Sequence, residues 1–206
     1  MRRCLSVTAC TALVHAFVTS RLDYCNSLLA RIGDGLIAQL QSVMHVAARL
    51  VLRRSNFDPI SVDIWDRLHR LLIRSRIDFK LGLLVYKCLH GFASAYLAEM
   101  LEVQSDVSAL RHLRSAAWGD FVVPRTLTRS IGPRSFAVTG PAVWNTLPEY
   151  LRDQTVNITV LKQRLKTFLF SQHSLSSKYV SIFFDIFFIC SFHAVVVQAS
   201  LWLHLQ

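Results

Sequence analysis

Five cysteines and eight histidines are the residues in this chain most able to do nucleophilic or metal chemistry. Cys4, Cys10 and His15 follow a C-x5-C-x4-H spacing, which matches no tetrahedral zinc signature. Cys25 lies ten residues after His15, and nothing in the sequence nominates a base or an oxyanion site for it, so it reads as a half-buried structural cysteine. His69 and His90 fall near predicted helix ends, where dipole or capping roles suffice. The odd cysteine count, without a tight framework, fits a reducing compartment. No two Asp are adjacent, so the paired carboxylates of a two-metal polymerase centre are absent. Phosphate-cradling glycine loops, a H-E-x-x-H zinc helix and a G-x-S-x-G elbow are missing as well. The expectation is a non-enzyme with no cofactor, no metal and no small-molecule substrate.

What remains is charge. Lys and Arg number 23 against 13 Asp and Glu, a formal net charge of +10, and 18 of the cations are Arg. Arginine suits bidentate contact with phosphate, and a basic body draws polyanions. Nine residues form the candidate interface: Arg49, Arg53, Arg54, Arg67, Arg70, Arg74, Arg76, Lys80 and Lys87. For the first three, proximity to a helix C-terminus explains the cations equally well. Trp65, Trp118 and Trp144 have faces that stack on unpaired bases, but core packing is the stronger reading, above all for Trp144.

These residues need helices to position them. Residues 5–30 read as one long helix, broken near Ser20. Asp34 is then placed to cap a helix over 36–53, whose Ile37, Leu40, Met44, Ala47 and Val51 make an apolar stripe. After a turn at 56–59 a short helix is expected at 60–71. A strong helix follows over 73–90 with Ile77, Leu81, Leu84 and Cys88 on one face and Gly91 at its end. Another short one covers 94–101. Periodicity then stops. Residues 121–124 and 135–138 read as short β-like runs, with turns at Gly132–Pro133 and Gly140–Pro141. Helical order returns at 158–170 behind Asn157. The fold class is therefore mainly α. Residues 1–103 form a helical module, 104–171 an irregular segment ending in a helix, and 172–206 an apolar, helical tail.

That tail differs from the rest. Residues 179–203 hold 19 apolar residues in 25, and no formal charge follows Asp185. The run has the length and greasiness of a membrane span, although Asp185, His193 and Gln198 oppose it; translation running past the end of an older element into flanking sequence is the preferred expectation, since random reading frames often yield apolar runs.

Several blocks carry a resemblance. Residues 13–29 (LVHAFVTSRLDYCNSLL), 40–43 (LQSV), 47–51 (AARLV) and 76–91 (RIDFKLGLLVYKCLHG) stand in order. So do 113–115, 122–126, 134–138, 140–148 (GPAVWNTLP) and 165–170. Together they resemble the region C-terminal to the palm in LINE-type (non-LTR) retrotransposon reverse transcriptases of the chicken-repeat and jockey-like kind. The resemblance covers about residues 1–171. It departs at 68–72, where LHRLL stands in place of a Trp- and Pro-bearing segment, and at Met44–His45. It implies a thumb-like helical module, nucleic-acid backbone as partner, and a nuclear or cytoplasmic location. The parent activity, RNA-directed DNA synthesis, rests on an upstream palm that is absent here, so no catalytic residue carries over. The expected function is that of a non-catalytic C-terminal remnant holding nucleic acid non-specifically. Two other readings stay open: a tail-anchored membrane protein spanning through 179–203 with a basic cytosolic domain, and a host-adopted RNA-binding module.

Overall fold

The computed structural model describes residues 5–55, 58, 60, 63–64, 68–104, 119–153 and 155–172. The chain divides into two units, Met1–Lys166 and Thr167–Gln206. The described part of the second, 167–172, is helical, and the apolar run 179–203 lies outside the described residues. Everything below concerns the first unit, which is mainly α-helical.

Helix α1 (Val7–Val14) begins at Ser6, whose hydroxyl accepts the Ala9 N–H at 3.2 Å. A five-residue π-helical turn, His15–Thr19, follows and runs directly into α2 (Ser20–Asp23). The expected break near Ser20 is thus a π-bulge, and the chain leaves the helix only at Tyr24, which is extended. Cys25 takes a left-handed conformation (φ 49°) and is exposed rather than half-buried. A 3-10 turn, Asn26–Leu29, leads to α3 (Asp34–Leu52). Gly33, not Asp34, occupies the N-cap; Asp34 is the first helical residue, where its carboxylate favours the dipole.

In α3 four residues of the expected apolar stripe, Ile37, Met44, Ala47 and Val51, are buried, with Ala48 beside them, while Leu40 is only partly buried. The stripe packs on two sides. Ile37 and Met44 join Ala30, Ile73, Ile77 and Leu81, while Ala47 and Val51 meet Cys10 and Val14 of α1. Among the described residues α3 is the one helix long and apolar enough, by length and composition, to cross a bilayer; its inward stripe belongs to the core. Leu36, Val43, Val46 and Leu50 remain exposed on its other side.

Of the helix expected at 60–71, Asp63 and Ile64 are helical but residues 68–71 are not. His69 sits at φ 46°, which turns the chain back toward α4 (Ile73–Leu89). The first N–H of α4 is capped from outside: Gln41 of α3 accepts the Ile73 N–H at 3.0 Å. Helix α4 is the hub, burying Ile73, Ile77, Leu81, Val85 and Cys88 on one stripe and Gly82 and Tyr86 beside it. It ends at His90, with Gly91 at φ 70° as a left-handed terminator. A single turn, α5 (Ala95–Ala98), follows.

The expected β-like runs resolve differently. Phe121 makes one isolated antiparallel bridge with Val103. Its other edge is closed by Asn145, whose amide donates to the Phe121 carbonyl at 2.8 Å and accepts the Phe121 N–H at 2.9 Å. Residues 135–138 are not extended: they open α6 (Phe136–Asn145), and Gly140–Pro141 lies inside that helix rather than at a turn. Packing explains the difference. Val138, Thr139, Gly140, Pro141 and Trp144 are all buried, and α6 makes its main contact with α4. A Cβ on Gly140 would lie 2.9 Å from the Phe136 ring and 3.2 Å from Val85, so glycine lets the two helices approach. Trp144 is buried, packed edge-on against Phe121. Helix α7 (Glu149–Arg152) and the helical stretch 158–166, α8, close the unit. Asn157 caps α8 as expected, accepting the Thr159 N–H at 3.0 Å, and Leu161 and Leu165 are fully buried.

Candidate nucleic-acid interface

Of the nine nominated cations, Arg67 lies outside the described residues. Arg49, Arg53 and Arg54, at the end of α3, are occupied by the protein itself. Arg49 donates through Nε and Nη2 to the Asp58 carbonyl at 3.3 and 3.2 Å. Arg53, left-handed at the helix terminus, donates to the Leu5 carbonyl at 2.8 Å. Arg54 pairs with Asp63 at 3.2 Å. Arg74 pairs with Asp34 at the start of α3. Lys87 is exposed near the far end of α4.

Arg70, Arg76 and Lys80 come together. They line a cleft of about 500 Å³ with His15, Thr19, Asp23 and Asn26 on one wall and His69 and Lys166 at its edges. The π-turn and α2 build the first wall, because residues 15, 19 and 23 share a helical side. Thr19 is buried, and its hydroxyl accepts from Arg70 Nη1 at 2.7 Å. Arg76 Nη1 donates to both carboxylate oxygens of Asp23 at 2.6 Å, and its Nε holds the Leu71 carbonyl at 2.9 Å. Lys80 is exposed one turn further along α4.

The electrostatics of the cleft are unbalanced. Arg70, Arg76, Lys80 and Lys166 line it, with Asp23 as the facing carboxylate. Burial pushes the Arg70 guanidinium below its ordinary range, Arg76 pushes it the same way, and Asp23 opposes them. Arg70 thus hydrogen-bonds a hydroxyl, while the nearby carboxylate of Asp23 is held by Arg76, an environment that a further anion relieves. Asn26 is also buried in this wall, and its Oδ1 has no partner. Among the described residues no three His, Cys, Asp or Glu side chains gather to hold a metal ion.

His15, Thr19, Asp23, Asn26 and Lys166 were not part of the sequence-derived interface. A signal was present: His15, Thr19 and Asp23 recur at four-residue spacing, a polar stripe on a helix otherwise read for its apolar face. No protein-family model matches the chain, and neither does any curated protein or solved structure.

Proposed function

We propose that this chain is a non-catalytic remnant of the C-terminal part of a LINE-type RNA-directed DNA polymerase, and that its remaining capacity is non-specific binding of nucleic-acid backbone. The ordered sequence blocks and the mainly helical fold support the lineage. The binding reading rests on one observation: Arg70, Arg76 and Lys80, spread along eleven residues of sequence, line a single concave surface with one facing carboxylate. Guanidinium and ammonium groups there meet phosphate oxygens without reading base edges, so affinity is sequence-independent and salt-sensitive.

The test is fluorescence anisotropy of the full chain with a labelled RNA–DNA hybrid over a salt series. Binding at low salt, weakening linearly in log–log form, is expected. Lys80→Ala and Arg70→Ala should each reduce that slope by about one. No retention of the hybrid at low salt overturns the binding reading, as do slopes that both variants leave untouched.

A further inference from the structure

Helix α4 has a second charged edge, turned away from the basic cleft. Asp78 follows Arg74 by one turn and, with Ile77 and Leu81, borders a separate cavity of about 280 Å³. Leu29, Ala30 and Arg31 supply one wall, and Ala142 and Val143 of α6 another. Asp78 is half-buried and makes no hydrogen bond or ion pair among the described residues. Desolvation raises its carboxyl above the ordinary range, with Arg74 opposing. Arg31 is exposed, left-handed at φ 53°, and likewise without a partner among the described residues. Arg74 is held by Asp34. One cavity thus holds the Arg31 guanidinium and the Asp78 carboxyl, neither hydrogen-bonded among the described residues, with Arg74 also in its lining and acting on Asp78 through charge alone.

We infer that this cavity binds a guanine nucleotide, with the Asp78 carboxylate accepting from the guanine edge and Arg31 holding the phosphate. An ionised carboxyl is an acceptor only. Guanine presents two adjacent N–H donors, the ring N1–H and the 2-amino group, which match its two oxygens. Adenine and cytosine place a ring-nitrogen acceptor beside their amino group, and uracil flanks its lone N–H with carbonyls, so each sets an acceptor against the carboxylate. Leu29, Ile77 and Val143 offer the apolar surface that a flat ring needs. The volume, about 280 Å³, lies just below the usual range of ligand pockets, so the cavity takes the base while the phosphate stays outside it beside exposed Arg31. The chain's net charge of +10 favours a nucleotide anion over a zwitterion of similar size. This site does not depend on the basic cleft, which takes backbone without reading bases.

The experiment is calorimetric titration of the full chain with 5′-GMP, AMP, CMP and UMP at low salt. GMP is expected to bind at least about tenfold more tightly than the other three. Asp78→Asn, nearly isosteric, should erase the preference. Arg31→Ala should weaken GMP while leaving the weaker binding of guanosine unchanged. The wild-type comparison needs no variant, and circular dichroism establishes that each variant keeps its helices. Equal binding of all four nucleotides, no binding of GMP, a preference that survives Asp78→Asn, or binding of a zwitterion such as leucine in place of GMP overturns the inference.

Discussion

Asp23→Asn separates the structural and the binding duties of the cleft, because the two should move in opposite directions. In the native protein Arg76 reaches both Asp23 oxygens at 2.6 Å, with side-chain exposures of 14% and 41%. The pair ties the end of α2 to the start of α4 across 53 residues of sequence. At an effective dielectric near 20, unit charges about 4 Å apart attract by about 4 kcal/mol. Desolvating the more buried arginine and ordering both side chains remove much of that, leaving about 1–2 kcal/mol for a pair of mixed exposure. Asparagine keeps the shape and one acceptor but removes the charge. Stability should fall by about 1–2 kcal/mol, or about 2–8 °C in Tm for a chain of this size. Arg76 remains anchored by the Leu71 carbonyl, so the guanidinium stays in place and becomes available to phosphate.

Affinity for the RNA–DNA hybrid should therefore rise at low salt, and the slope of log K against log salt should steepen by about one contact. Urea unfolding reports the first quantity and anisotropy the second, on the same preparation. A fall in affinity that tracks the fall in stability refutes the reasoning, since Asp23 would then be assembling the cleft rather than occupying it. An unchanged slope refutes it equally, because Arg76 would not have been released.

Two further outcomes follow from packing and from burial. Gly140→Ala should destabilise by about 1–3 kcal/mol despite the better helix propensity of alanine, because its Cβ meets the Phe136 ring at 2.9 Å; Gly82→Ala, whose nearest neighbour is a Leu165 methyl at 3.3 Å, should cost less. Asp78 has a raised native carboxyl, so folding favours its neutral form, and it stabilises most below the ordinary carboxylate range. That advantage is lost as pH rises through the raised native value, and Asp78→Asn should therefore be more stable than the native chain at neutral pH, with the difference shrinking toward acid; thermal melts across pH measure it, and an equal difference at every pH would show that Asp78 is not the titrating group.

Helices α3 and α4 were legible in the sequence because their apolar stripes are regular and their burial follows the stripe. Residues 135–141 were not. Ser135 to Val138 has β-like local composition and Gly140–Pro141 is a turn signal, yet the segment is helical because it lies against α4, where a glycine and a proline on the contact face permit close approach. Local preference lost to a contact made more than fifty residues away. The site divides the same way. The cations were visible one by one, but Thr19 and Asp23, which decide what Arg70 and Arg76 can do, are about fifty residues distant. Only the four-residue polar spacing on the first helix hinted at them.

The charge itself is spent unevenly, and this limits how strongly the cleft can bind. Six of the eight described candidate cations are engaged within the protein: Arg49 and Arg53 on backbone carbonyls, Arg54, Arg74 and Arg76 on carboxylates, and Arg70 on a hydroxyl. Arginine is suited to this role because one planar fork reaches several acceptors at once. A net charge of +10 therefore does not make ten phosphate contacts. Arg70, beside a neutral partner, and Lys80, exposed at the cleft, are the groups nearest to readiness, with Arg76 withheld by Asp23. A native salt slope of about two to three contacts is the consequence. A slope approaching eight or nine would mean that the helix-end arginines leave their carbonyls and carboxylates for phosphate, and the partnerships seen here would then be resting contacts that nucleic acid displaces.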